Sequence, residues 1–170
     1  MGAAILQLIR LALPHTTIIA TCSPKHHARA KTLGATTTLD SRSTDLVKDI
    51  MQSSPHSIGV EAIADAVNGV ALNPSILEAL TGPKYFAEVL TGKNLQRAPE
   101  GVQHLLVVAS TVLGVPGGSH LFRGLGKLLA DGSYKVPIQV ESVGSGFSAI
   151  QPGLEKLNAG VSGTKLVVSI

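Results

Sequence analysis

Apolar and polar positions run along this chain in short blocks whose period switches between helix and strand. Ile5, Leu8, Ile9 and Ala12 share one helical face over residues 3–13, Gln7 and Arg10 take the other, and Pro14 ends the pattern. The β-branched run TTIIA predicts a buried strand over 17–21. A helix follows over 25–33, closed by Gly34, and TTTL predicts the next strand at 36–39. Ser43 or Thr44 is placed to cap a helix running to Met51. Further strands are predicted at 59–63, 85–90 and 104–112, the last being the longest β-type run, with a helical stretch at 75–81. A glycine-rich turn, GVPGGSH, then precedes the helix LFRGLGKLLADG. KVPIQVES reads as extended, AIQPGLEKLNAG as a helix and TKLVVS as a last strand. Strands alternating with helices at this spacing predict an α/β fold with a doubly wound, mostly parallel sheet. No repeat or low-complexity linker divides the chain, so a single domain over 1–170 is expected.

Composition supports a sheet covered on both faces. Apolar residues make up 44%, charged residues 15% and aromatics 3%, so the core must come from Leu, Ile, Val and Ala. The charge placement is more informative than the net +3. Residues 1–60 carry six Lys/Arg against three Asp, whereas 61–170 carry eight of each sign. The excess surrounds TIIATCSPKHHARAKTLGA (17–35), which suits a small anionic ligand. Nucleic acid would call for a longer basic stripe and stacking aromatics, so no nucleic-acid partner is expected. The one cysteine, Cys22, excludes an internal disulfide and reads as a small buried residue. The histidines do not cluster at zinc-ligand spacing, so no metal is expected. MGAAILQLIRLAL lacks a basic n-region and Arg10 interrupts it, so it does not read as a signal peptide. No run is apolar enough to span a bilayer, which leaves no membrane partner and a cytoplasmic protein as the expectation.

Five segments in order, GAAILQLIR, IIATCSP, AKTLGA, GVEAIADAVNG and GLEKLNAGVSGTKLVV, resemble the medium-chain dehydrogenase/reductase superfamily. The branch they resemble is that of the zinc-free quinone oxidoreductases and fungal trans-acting enoyl reductases, and the resemblance covers nearly the whole chain. It implies a Rossmann-like nucleotide-binding half without the catalytic domain, the usual first strand or the glycine-rich loop, with Gly2 matching the last glycine of the fingerprint. It also implies that Ser23 and Lys25, supported by Arg29 and Lys31, mark a vestigial site for the 2′-phosphate of NADP. Ser41 stands where the family often has an aromatic residue, which puts an adenine-stacking surface in doubt, and STVLGVPGG matches the segment near the nicotinamide.

Two functions of different class follow. The first is a repurposed scaffold that needs no cofactor, binds a hydrophobic polyketide-type molecule and promotes cyclisation, isomerisation or dehydration. The second is an NADPH-dependent enoyl reductase or quinone oxidoreductase half that works with a partner catalytic domain. A non-catalytic pseudoenzyme that binds the intact enzyme is a third reading. The expectation leans to the first, because a parallel sheet without its central strand would not keep the parent cofactor site. No triad or paired carboxylates stand out, and the candidate catalytic residues are His120, His104, Glu88, Tyr85 and Ser110. The run HLLVVASTVL predicts a homodimer through residues 104–113. The segments PIQVES and KLVVS need hydrogen-bond partners, and Lys165–Ser169 is expected to cover an edge orphaned by the missing strand.

Overall fold

The computed structural model describes residues 1–90, 92 and 97–170. These form two compact units, Met1–Lys135 and Val136–Ile170. In the first unit the order is α1 (Gly2–Ala12), β1 (Ile19–Cys22), α2 (His27–Thr32), β2 (Thr37–Asp40), α3 (Leu46–Ser53), β3 (Val60–Asp65), α4 (Gly69–Leu72), β4 (Leu80–Val89), β5 (Gln103–Val107) and α5 (Leu121–Ala130). The second unit holds β6 (Gln139–Ser145), α6 (Ile150–Asn158) and β7 (Thr164–Ser169). No helix among the described residues is long and apolar enough to cross a membrane.

All strand pairs are parallel. β1 pairs with β2, and β3, β4 and β5 form a separate three-stranded sheet with β4 in the middle. β6 and β7 pair in the second unit, so the described strands form three sheets where one was anticipated, and no ladder among the described residues joins β1 to β3. The β1–β2 pair is covered on both faces. Leu6 and Ile9 of α1, with Ala30, Leu33 and Ala35, pack on Ile18, Ala20 and Cys22. Leu46 and Ile50 of α3 pack with Ala79 against Ile19, Leu39 and Val60, so one helix reaches over strands of both sheets. Phe86 centres the second sheet's core with Val70, Leu77 and Leu80.

Arg10 ties α1 to the chain that follows it. Its Nε donates to Gly34 O (2.9 Å), and one terminal nitrogen donates to Pro14 O (2.8 Å) and Thr16 O (2.9 Å). The other donates to Thr36 Oγ1 at 3.0 Å. Gly34, at φ +114°, closes α2 as anticipated; a Cβ there would lie 2.7 Å from Arg10 Cβ. Gly2 is different. A Cβ at that position would meet Ala66 Cβ at 3.9 Å, an ordinary contact, so its surroundings do not demand glycine.

Three expectations need correction. β5 ends at Val107, not 112: the chain turns into a 3-10 helix over Ala109–Gly114. The cause is the glycine-rich turn, which folds back so closely that a Cβ on Gly118 would sit 1.8 Å from Val112 O. β4 begins at Leu80, five residues before its expected start, because the ladder opens at Leu80 and bulges before resuming at Tyr85. Finally, Lys165–Ser169 does not cover an orphaned edge of its own chain. β7 pairs with β6, each satisfying the other's backbone, and α6 packs on them through Gly153, where a Cβ would stand 3.0 Å from Val143.

Candidate nucleotide-binding site

The carboxyl ends of parallel strands are where open α/β sheets bind ligands, because helix starts and strand-end loops converge there. At the end of β1, Ser23 is extended (φ −61°, ψ 145°) and leads into a short 3-10 turn, Pro24–His26. Its hydroxyl makes no capping bond. Its carbonyl accepts from His26 N (2.9 Å), and His27 Nε2 donates to Cys22 O (3.2 Å), so the turn is pinned at both ends. Lys25 is exposed and Arg29 is half-buried one turn later. The three residues anticipated for a 2′-phosphate therefore lie on one turn and the helix it opens. On the neighbouring strand, Arg42 N donates to Asp40 Oδ1 (3.0 Å), which orders the turn after β2. This donor set, a hydroxyl with two cationic side chains, fits a phosphate monoester.

Burial first, and then the Asp40 carboxylate, push the Cys22 thiol above its ordinary pKa. At neutral pH the thiolate fraction is accordingly lowered, and the neighbouring Lys25 does not make Cys22 reactive. Iodoacetamide should label Cys22 more slowly in the folded chain than in urea. Equal rates in the two states would show that the thiol is unprotected.

The candidate catalytic residues separate into one pair and three singles. Parallel pairing sets Phe86 opposite His104, which brings Glu88 diagonally within reach. His104 Nε2 donates to Glu88 Oε1 at 2.8 Å, and the His104 ring stacks on Phe86 with centroids 5.0 Å apart. Glu88 is 1% exposed, among the most buried side chains of the fold. Tyr85 alternates with these residues along β4 and is exposed. Ser110 lies on the exposed 3-10 helix after β5, and His120 is exposed just before α5. No three His, Cys, Asp or Glu among the described residues gather as a metal site.

Sequence reading missed the roles of Phe86 and Asp65. Asp65, buried at the end of β3, accepts from Val67 N (2.9 Å) and Val70 N (2.8 Å) and shapes the turn into α4. An Asp at a strand end, two residues before a free backbone N–H, was the available signal.

Parallel sheets flanked by helices make this a Rossmann-like fold. No family model matches the chain. It is 31% identical over 160 residues to dehydrogenase orf1 of Aspergillus niger, covering 90% of this chain and 46% of that protein. It is 32% identical over 163 residues to the trans-enoyl reductase tndF of Aspergillus flavipes, covering 91% and 47%. Among solved structures it resembles the CurK enoyl reductase, with a TM-score of 0.75 at 23% identity over 99% of this chain and 51% of that one. The chain is thus similar to about half of a dehydrogenase and of a trans-enoyl reductase, and it shares the Rossmann-like fold of the solved enoyl reductase. It spans about half the length of the curated relatives it matches.

Proposed function

We propose that this chain is the dinucleotide-binding half of an NADP-dependent, enoyl-reductase-type enzyme. It works with a catalytic half on a hydrophobic, polyketide-type enoyl substrate. The observation that carries the reading is the carboxyl end of β1, where Ser23 and Lys25 lie on one ordered turn and Arg29 on the helix it opens. Its relatives, a dehydrogenase and a trans-enoyl reductase, support the redox class. The reading as a cofactor-free scaffold for a cyclisation or isomerisation yields to it, because the two curated relatives named above carry redox names. NADPH, when bound, supplies the hydride. The chain's own part is to hold the 2′-phosphate: Lys25 and Arg29 offset its charge and the Ser23 hydroxyl donates to one of its oxygens.

Binding by this chain alone should be weak, because each charge-assisted contact to the pyrophosphate is worth about 1.5–3 kcal/mol and a glycine-rich loop would supply several. A dissociation constant above about 100 μM is expected by calorimetry, with NADPH preferred over NADH. Lys25→Glu should abolish that preference. Equal affinity of the unmodified chain for NADH and NADPH would remove the proposed role of this turn.

The homodimer through 104–113 is part of the same reading. β5 is the outer strand of its sheet, and Leu105, Leu106 and Val107 are exposed along it. Such an edge is a template for pairing with a second copy. Light scattering at tens of micromolar (~50 μM, where modest self-association registers) should give twice the chain mass, and a monomer at that concentration would argue against the edge as an interface.

A further inference from the structure

The bulge in β4 sets an unusual residue beside a cavity. Between Leu80 and Tyr85 the ladder with β3 is broken, and Gly82 and Lys84 are both left-handed, at φ +58° and +54°. Glycine takes that conformation freely but lysine rarely does, and bulges of this kind re-aim a side chain. Lys84 is half-buried and lines a cavity of about 350 Å³ at the amino ends of the resumed β4 and of β5. Leu77 and Val102, which pack in the Phe86 core, line it too. The surrounding chain is tied in place. Gln103 Nε2 donates to Pro83 O (3.1 Å), and Val102 N donates to Pro99 O (3.2 Å). Glu78 and Glu100, both exposed, complete the charged lining. Among the described residues the ion pairs are His104–Glu88 and Lys156–Glu141, so Lys84 neutralises neither carboxylate.

We propose that this cavity binds a small zwitterion with an apolar body, namely an α-amino acid with an apolar side chain. Its volume lies at the lower end of the usual range for small-molecule sites, about 300–1,000 Å³. Charge decides the class. A simple amine meets the Lys84 ammonium, and a simple acid meets two carboxylates, so each is opposed by part of the lining. A molecule carrying both charges satisfies all three groups. Lys84 donates to its carboxylate, Glu78 and Glu100 accept from its ammonium, and Leu77, Val102 and Pro99 receive its side chain. The candidate phosphate turn stands at the carboxyl end of β1, away from the amino ends of β4 and β5. The amino-acid site is therefore independent of the function proposed above.

The test titrates the full chain with L-phenylalanine and follows its amide chemical shifts by nuclear magnetic resonance. The expected result is saturable binding with a dissociation constant of about 1 mM or tighter. The shifts should move at residues 77–78, 84 and 100–102. Phenethylamine lacks the carboxylate and hydrocinnamate lacks the ammonium, and each should bind about tenfold more weakly or worse. Lys84→Asn removes the cation while keeping a residue that tolerates the left-handed backbone, and it should erase the preference over phenethylamine. Glu78→Gln combined with Glu100→Gln should erase the preference over hydrocinnamate. If either analogue binds the unmodified chain as tightly as phenylalanine, the charged lining is not read and the proposal is overturned. Absence of saturable binding by both phenylalanine and leucine at up to about 10 mM also overturns it. So does binding that leaves the amides of residues 77–78, 84 and 100–102 unmoved. The analogue comparison needs no variant, so the outcome is decided whether or not the substituted chains fold.

Discussion

Gly59→Ala is expected to destabilise the first unit by about 3 kcal/mol or more, for two separable reasons. Gly59 adopts φ +103°, which an L side chain rarely takes, and such strain costs about 1–3 kcal/mol. A Cβ there would also stand 2.4 Å from Ala79 O and 3.2 Å from Met51 Sδ. Ala79 is fully buried, so its backbone cannot yield without moving the cluster beneath α3; forced overpacking of this kind adds roughly 1–3 kcal/mol. The turn has no slack to absorb the change. His56 and Ser57 are already left-handed, and the Gly59 N–H donates to the buried Ser54 Oγ at 2.9 Å. Thermal unfolding followed by circular dichroism should show a midpoint lowered by on the order of 10 °C. A loss under about 1 kcal/mol would mean that β3 does not enter its sheet through this turn.

Much of the fold was legible because each element carries its own local signal. The β-branched runs gave β1, β2 and β3 within two residues of their observed bounds, and Gly34 closed α2 where expected. The misses came from interactions distant in sequence. Nothing in HLLVVASTVL marks Val107 as its last paired residue; that limit comes from the return of Gly118 onto Val112. The β4 bulge escaped notice because Pro83 and the left-handed Gly82 and Lys84 read locally as a turn before a strand, not as a strand already begun. The candidate site divides the same way. Ser23, Lys25 and Arg29 lie within seven residues, so their convergence could be read directly from the chain. Glu88 and His104 were each singled out, but their pairing depends on a register between two strands that no local pattern encodes. The break between β1 and β3 was legible only through the resemblance, which implied that the usual first strand is missing; no local strand signal marks it.

Phe86→Ala is expected to cost about 3–5 kcal/mol, the usual range for removing a buried aromatic ring. Phe86 is 1% exposed and is the largest fully buried side chain of the fold. It touches the Val70, Leu77 and Leu80 cluster, against which Val60, Ile63 and Val102 also pack, so one ring links β3, β4, α4 and the segment leading into β5. Aromatics are scarce in this chain, with three Phe and no Trp, and the cluster has no second ring to take up the volume. The substitution also removes the surface on which His104 stacks, and the ring would then be held mainly through Glu88. Phe86→Leu separates the two contributions. It retains most of the apolar volume but not the stacking, which is worth about 0.5–1.5 kcal/mol beyond area burial. Urea unfolding should therefore rank the unmodified chain above Phe86→Leu and both above Phe86→Ala. In a double-mutant cycle with His104→Ala, the coupling to Phe86 should fall in that same range of about 0.5–1.5 kcal/mol. If Phe86→Ala costs less than about 1 kcal/mol, the β3–β4–β5 sheet is not organised around this ring and the register that joins His104 to Glu88 loses its anchor.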